Sequence, residues 1–430
     1  MTRVTLHGSV STLPCMRPSL HPVELGRRGL SDYAELVGND QIERLQDLAQ
    51  PLEGASILHV TGPRPGGRVP ELLSGLLPLM ADAGARVEWA VTVAGDAADE
   101  VGAELREGLQ GAETAIEDEA FDAYLERCES LGDALETHDL VVVHDPEPLA
   151  LAAERPRLVW HCHLDASEPD SDAWARSQPL VERYDAVALA AESFAPPGLD
   201  GATAIAPGID PLAAKHQDLP LRLAGAALRG LGVDLGRPFV CQVGRFDRWK
   251  DPHATVDAFA LAKEELPELQ LALAGTLAGA GADDWLAIRE ITDYAEDQPD
   301  LHLLTSYTGV GALELNALQR TARVLVERSL REGFGLVASE ALWKRTPVVA
   351  GPEGGIPLQL RDGTDGYLAE GLDDTARRIV ELVRDPGLAA AMGAAGRERV
   401  REGFLVTRML EDELRLLDSV LAGRAATVES

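Results

Sequence analysis

Two glutamates bracket a glycine-rich turn in the stretch SLREGFGLVASE, which runs from Ser329 to Glu340. Gly333, Phe334, Gly335 and Leu336 follow directly on Glu332, and Glu340 stands eight positions beyond it. A purely structural turn needs the glycines but has no use for two acids. RVLVE before the stretch reads as a strand and LVASEALWKR as a helix, so the loop lies at a strand's carboxyl end and a helix's amino end. Free N–H groups of a first helical turn favour an anion, and glycines let a backbone approach a ligand closely. Two carboxylates would repel phosphate alone, but each accepts hydrogen bonds from hydroxyls. The pair therefore suits a ligand carrying both phosphate and hydroxyls. A nucleotide sugar meets that description, with Glu332 facing the hexose and Glu340 the ribose. Taken singly, each acid reads equally well as a solvated helix residue.

Further chemistry-bearing residues gather at other strand ends. GRFDRWKD places Arg245 and Lys250 just past a strand, where two cations can stabilise charge developing on a leaving diphosphate. The alternative is a pair of surface cations. Gly66 and Gly67 form a loop after the strand ILHV, which a tight strand-to-helix turn explains as well as a ligand does. VHDPEP puts His144 and Asp145 at a strand end, and WHCHLD puts His161 and His163 on one strand face with Asp165 beyond. An HxH pair can ligate metal, but with no cysteine or third histidine to complete the set, zinc is rejected. Asp170 and Asp172 form a DxD of the kind that carries Mn or Mg in some sugar transferases. It reads better as a helix start with Ser171 as the cap.

The elements that must position these groups alternate along the chain. ASILHVTG, a glycine loop, an apolar-periodic helix and VEWAVTV make a strand–loop–helix–strand unit, the opening of a doubly wound parallel sheet. VVVHDPEP, RLVWHCHLD, YDAVALAAES and ATAIAPGID continue it. A second series starts at PFVCQVG and runs through LQLALAG, LHLLTSY, RVLVE, TPVVAG and GYLAE. The expected organisation is α/β: a first Rossmann-like domain over 1–215, a second over 216–403, and a last helix (404–422) packing back on the first. Ligands bind at the carboxyl ends of strands in such sheets, here in a cleft between the two domains.

Bulk properties agree with an enzyme. A chain of 430 residues exceeds one ordinary core, and 45% hydrophobic with 26% charged residues is a globular composition. The net charge of −32 argues against non-specific binding to nucleic acid or an anionic membrane. Four cysteines (Cys15, Cys128, Cys162, Cys241) form no CxxC pair, in keeping with a reducing cytoplasm. No apolar run approaches the roughly 20 residues that cross a bilayer, and the N-terminus lacks the apolar core of a signal peptide. Residues 1–30 are not assigned.

With these motifs together, the chain resembles the retaining glycosyltransferases of the GT-B fold, whose E-x7-E signature Glu332 and Glu340 match. SDYAELVGNDQIERL, PGGRVPELLSGLLPLM, VVVHDPEP, WHCHLD, GRFDRWKD, GVGALELNALQR and SLREGFGLVASEALWK occur in the order seen in the glycosyltransferring trehalose synthases. The resemblance covers about residues 31–420. It implies transfer of glucose from a nucleotide-glucose to free glucose, without metal or other cofactor. It also implies that Arg245 and Lys250 hold the diphosphate, and Glu332 and the Gly333–Leu336 backbone the donor glucose. Glu340 would hold the ribose, His163 would lie beside the donor hexose, and Asp145 and Asp165 near the acceptor. The loop at Gly66 and Gly67 would close over both substrates. One departure stands out: PRPGGRV replaces the family's run of three glycines and a small apolar residue, so Arg68 and Pro65 bear on acceptor choice. The competing readings are another sugar or cyclitol acceptor, a sugar-nucleotide epimerase on the same fold, and a non-catalytic sensor. The donor base (ADP, UDP or GDP) and a homodimer are left open.

Overall fold

The computed structural model describes residues 19–63, 67–92, 97–246, 248–275, 282–296, 298 and 300–424. Two sheets organise them. The first holds β1 (Leu20–Pro22), β2 (Ser56–Thr61), β3 (Arg86–Thr92), β4 (Leu140–His144), β5 (Arg157–Cys162), β6 (Ala186–Leu189) and β7 (Thr203–Ala204). Its order is β1-β3-β2-β4-β5-β6-β7, parallel except for the antiparallel edge pair β1–β3. The second holds β8 (Phe239–Val243), β9 (Gln270–Gly275), β10 (Leu301–Thr305), β11 (Val324–Glu327), β12 (Val348–Ala350) and β13 (Gly366–Leu368). It is parallel throughout, in the order β10-β9-β8-β11-β12-β13.

These residues make buried parallel strands because their apolar runs are short and continuous, as helices on both faces require. β2, β4, β8 and β9 are buried along their whole length. Each sheet reverses its winding once, between β2 and β4 in the first and between β8 and β11 in the second. Such reversals open a crevice beyond the carboxyl ends of the two strands. His144 ends β4, while Gly244 and Arg245 follow β8 and Glu327 ends β11. The strand ends singled out in the sequence thus fall on the two crevices. β1 was not foreseen: it is three residues long (Leu20, His21, Pro22) and largely exposed, below what a hydrophobic pattern can show.

The last helix, Val406–Leu421, returns to the first half of the chain and packs on the helices Asn39–Ala49 and Arg68–Asp82. Where it crosses, Ile209 and Phe404–Val406 exchange backbone hydrogen bonds of 2.8 and 2.9 Å. A Cβ on Gly208 would run into the backbone of Leu405, so only glycine permits this approach. The crossing buries Glu413 of that helix completely. Among the described residues no helix is long and apolar enough to cross a membrane.

Candidate active site

The second crevice is built on charge. Lys250, 7% exposed, follows β8 through a short turn and is fixed by Gln242 of that strand, whose side chain donates to the Lys250 carbonyl at 2.7 Å. Its ammonium lies 3.2 Å from Glu327 and in direct contact with Glu332. Ser329 donates to Glu327 at 2.5 Å and lies 3.1 Å from Glu332. Burial opposes the charge on all three ionisable groups. It wins at Glu327, whose carboxyl is raised despite Lys250. At Glu332 it is outweighed by Lys250 and then Arg68, so that carboxyl is lowered. Lys250 is raised, because the two acids outweigh its own burial. The unit holds a carboxylate and a cation side by side at the end of two adjacent strands.

Backbone conformation explains the glycines. Gly335 starts the helix Leu336–Trp343 with φ +78°, a left-handed value that favours glycine. Gly354, at φ +58°, packs against the carbonyls of Glu332 and Gly333. A Cβ on Gly333 would stand 3.2 Å from the carbonyl of His163, so the two crevices meet here.

Two turns along, Glu340 is 1% exposed. Lys215 contacts it at 2.8 Å and Gln319 donates to it at 3.1 Å. Arg68 lies at 3.8 Å and His216 at 3.7 Å. Burial works against its charge, but Lys215, His216 and Lys344 hold the carboxyl well below the usual range. Beside it a cavity of about 310 Å³ opens between the two halves, lined by Arg68, Glu71, Asp210, His216 and Leu336 among others.

The first crevice is built on imidazoles. His163 Nε2 lies 3.0 Å from His144 Nδ1, and His144 Nε2 lies 3.0 Å from His59 Nδ1. The ring of His161 stacks on His163 at 4.2 Å, and its Nδ1 lies 2.9 Å from Glu413. Burial pushes His163 down to about 3 and His59 to about 4, so both are neutral at pH 7. Asp145, with φ +63°, accepts from the backbone N–H of His163 at 2.9 Å and from Arg106 at 2.8 Å. Burial opposes its charge, yet Arg106 and His163 leave its carboxyl lowered.

Several expectations need adjustment. The third histidine missing from the motif exists: His144 gathers with His161 and His163 within metal-ligating distance, brought by a neighbouring strand. The stated ground for rejecting zinc therefore fails, although the His144–His163 pair already forms a hydrogen bond. Asp170, not Ser171, caps the helix Ser171–Val181, accepting from Ala173 N–H at 3.1 Å, because its side chain precedes the first turn. Asp172 pairs with Arg176 instead of converging on Asp170. Asp165 turns back on its own loop, accepting from Ser167 N–H and hydroxyl at 3.0 and 2.6 Å. Arg245 is exposed, unlike buried Lys250. Gly67 leads into the helix Arg68–Asp82, while Gly66 and Pro65 lie outside the described residues. Glu327, Lys215, Gln319 and Arg106 were missed. Only Glu327, an acid ending an apolar strand, carried a local signal.

Two winding reversals facing each other, one presenting an ammonium between carboxylates and a glycine-led helix, define a glycosyltransferase of the GT-B fold. The comparisons agree. Residues 59–196 match the trehalose synthase N-terminal domain, and residues 227–399 match the glycosyl transferases group 1 domain. The chain is 40% identical to a trehalose synthase of Rubrobacter xylanophilus over 414 residues, 94% of this chain and 99% of that one. It superposes on sucrose-phosphate synthase from Thermosynechococcus elongatus with a TM-score of 0.63 at 19% identity, over 86% of this chain and all of that one (100%). An Anabaena protein in complex with UDP and glucose superposes with a TM-score of 0.64 at 15% identity, over 85% and 100%. The chain belongs to the trehalose synthase family.

Proposed function

We propose that this glycosyltransferase moves glucose from a nucleotide-glucose to free glucose with retention, forming trehalose without a metal. The observation that carries the reading is the Lys250–Glu327–Glu332 unit at the second crevice, with Glu340 buried two turns further on. An ammonium and a carboxylate side by side suit a diphosphate and a polyhydroxyl ring held side by side. The trehalose synthase relative and the neighbour that holds UDP and glucose support the same donor and product class.

In the proposed reaction the bond from the anomeric carbon to the diphosphate oxygen breaks. The acceptor's hydroxyl oxygen bonds to that carbon from the face the diphosphate leaves, and its proton passes to a leaving phosphate oxygen. Lys250 and Arg245 stabilise the charge left on the diphosphate, the role a metal ion plays elsewhere. Glu332 accepts from hexose hydroxyls. Glu340 accepts from ribose hydroxyls once Lys215 yields to them. His163 and Asp145 place the first crevice's strand ends against hexose and acceptor, and Arg68 reaches the donor side near Glu340.

The test is a matrix of ADP-, UDP- and GDP-glucose against glucose, glucose phosphate, other hexoses and cyclitols, with the product's linkage determined. An α,α-linked disaccharide from free glucose supports the reading. A preference for another acceptor, or conversion of the donor sugar with no acceptor present, contradicts it.

A further inference from the structure

Behind Glu340 runs a closed set of hydrogen bonds that the proposed reaction does not use. The carboxylate divides its two oxygens. Oε1 meets Lys215 at 2.8 Å, with His216 at 3.7 Å and Arg68 at 3.8 Å, two residues that line the cavity between the halves. Oε2 accepts from the Gln319 side chain at 3.1 Å. Gln319 in turn accepts from Lys344 Nζ at 2.7 Å, and Lys344 also donates to the Glu340 backbone carbonyl at 3.1 Å. Glu340 and Lys344 stand four apart at the end of the helix Leu336–Trp343, while Gln319 comes from the helix Ala312–Thr321. All three side chains are buried, Gln319 completely.

Donor and acceptor types leave this ring one arrangement. An ammonium only donates and an ionised carboxylate only accepts, whereas a glutamine amide has one end of each kind. Turned over, the amide would set N–H₂ against ammonium and oxygen against carboxylate, two repulsive contacts in a buried place. Gln319 therefore gives its N–H₂ to Glu340 and its oxygen to Lys344. Burial pushes the Lys344 ammonium down to about 7. Even where it is neutral, the Glu340 carboxylate still forbids the reversed amide. The Gln319 backbone is pinned as well, its carbonyl accepting from the Thr346 hydroxyl at 2.5 Å.

We propose that Gln319, held in turn by Lys344, fixes the carboxylate of Glu340 by its inner oxygen and so presents the outer one to the ribose hydroxyls of the donor. The proposal rests on the assignment of Glu340 to ribose made above and adds the residues that orient it. Without the inner bond, Glu340 can turn both oxygens on Lys215, which then competes with the ligand's two hydroxyls. With it, one oxygen stays committed to the interior and the other exchanges Lys215 for ribose. Gln319 and Lys344 are positioning residues, and what they set is the preference for a ribonucleotide over a nucleotide that lacks those hydroxyls.

Calorimetric titration of the full chain with ADP, UDP and GDP, each beside its 2′,3′-dideoxy form, tests it. For the nucleotide that binds most tightly, the wild type should prefer the ribose form by about tenfold to a hundredfold, the worth of hydrogen bonds to a charged group. Gln319→Met should bring that ratio down about tenfold, and Lys344→Met should lower it by less. In both, the loss should fall on the ribose form while the dideoxy form binds as before. A merely structural role would weaken both forms alike and leave the ratio where it was. An unchanged ratio in either variant, with the wild type discriminating, overturns the proposal alone. A wild type that binds both forms equally overturns the assignment of Glu340 to ribose, and the proposal with it. If a single variant does not fold, Gln319→Met combined with Lys344→Met removes both partners together and leaves neither unpaired. The same fall in the ratio is expected there, and an unchanged ratio is equally fatal.

Discussion

The two winding reversals are the same device filled with opposite chemistry. In the second sheet the crevice between β8 and β11 holds an ammonium and two carboxylates, all paired, with Lys250 and Glu327 buried and Glu332 partly so. In the first sheet the crevice between β2 and β4 holds His59, His144 and His163, which burial keeps neutral, with Asp145 locked to Arg106 beside them. Charge at one wall suits the anionic, departing part of a donor. Neutral groups at the other suit hydroxyls that must be oriented without being ionised. The fold supplies two equivalent openings, and side-chain type decides which ligand part each can take.

The largest expected effect breaks the charged wall. Lys250→Ala should lower turnover a hundredfold or more, since a charge-assisted hydrogen bond is worth roughly 1.5–3 kcal/mol and its loss also removes the ammonium between Glu327 and Glu332. Circular dichroism and unfolding curves would separate lost chemistry from lost fold. Arg245→Ala should cost roughly tenfold to a hundredfold on the same scale. Wild-type turnover in both would end the diphosphate assignment.

The neutral wall predicts a pH dependence. His59 and His163 titrate at about 4 and about 3 in the fold against an ordinary 6.5, and His144 well below 6.5. Between those values the unfolded chain binds more protons, so stability should fall as pH drops below about 6.5. The slope is roughly 1.4 kcal/mol per pH unit for each such histidine. Urea unfolding at pH 6.5, 5.5 and 4.5 measures it, and a flat profile would mean the rings are charged or solvated.

The smallest effects are expected where the comparison predicts none. Excess chelator should leave turnover unchanged, because in the proposed reaction Lys250 and Arg245, not a metal, offset the charge of the leaving diphosphate. Asp172→Asn should do the same, since Asp172 pairs with Arg176 on its own helix. Loss of activity in chelator, restored by Mn or Mg, would contradict this part of the account.

How much was legible before the structure follows from range. Every strand of both parallel series was visible, because a buried parallel strand writes its burial into consecutive residues such as VVVH and FVCQV. The loop of Glu332 and Gly335 was legible for the same reason, being local. Lys215 on Glu340 and Arg106 on Asp145 join residues 125 and 39 positions apart, which no spacing rule connects. His144 as a third histidine needed the pairing of β4 with β5. Glu413 needed a helix that returns across the whole chain. What the sequence hid was pairing across the fold.

Calorimetric titration of the free nucleoside diphosphate into the wild type, Glu332→Gln and Glu340→Gln tests the division of the charged wall most directly. The account places Glu332 at the hexose and Glu340 at the ribose. It therefore predicts diphosphate affinity nearly intact in Glu332→Gln, with turnover on nucleotide-glucose sharply reduced, and weakened diphosphate affinity in Glu340→Gln. Equal weakening in both, or the opposite order, would contradict it.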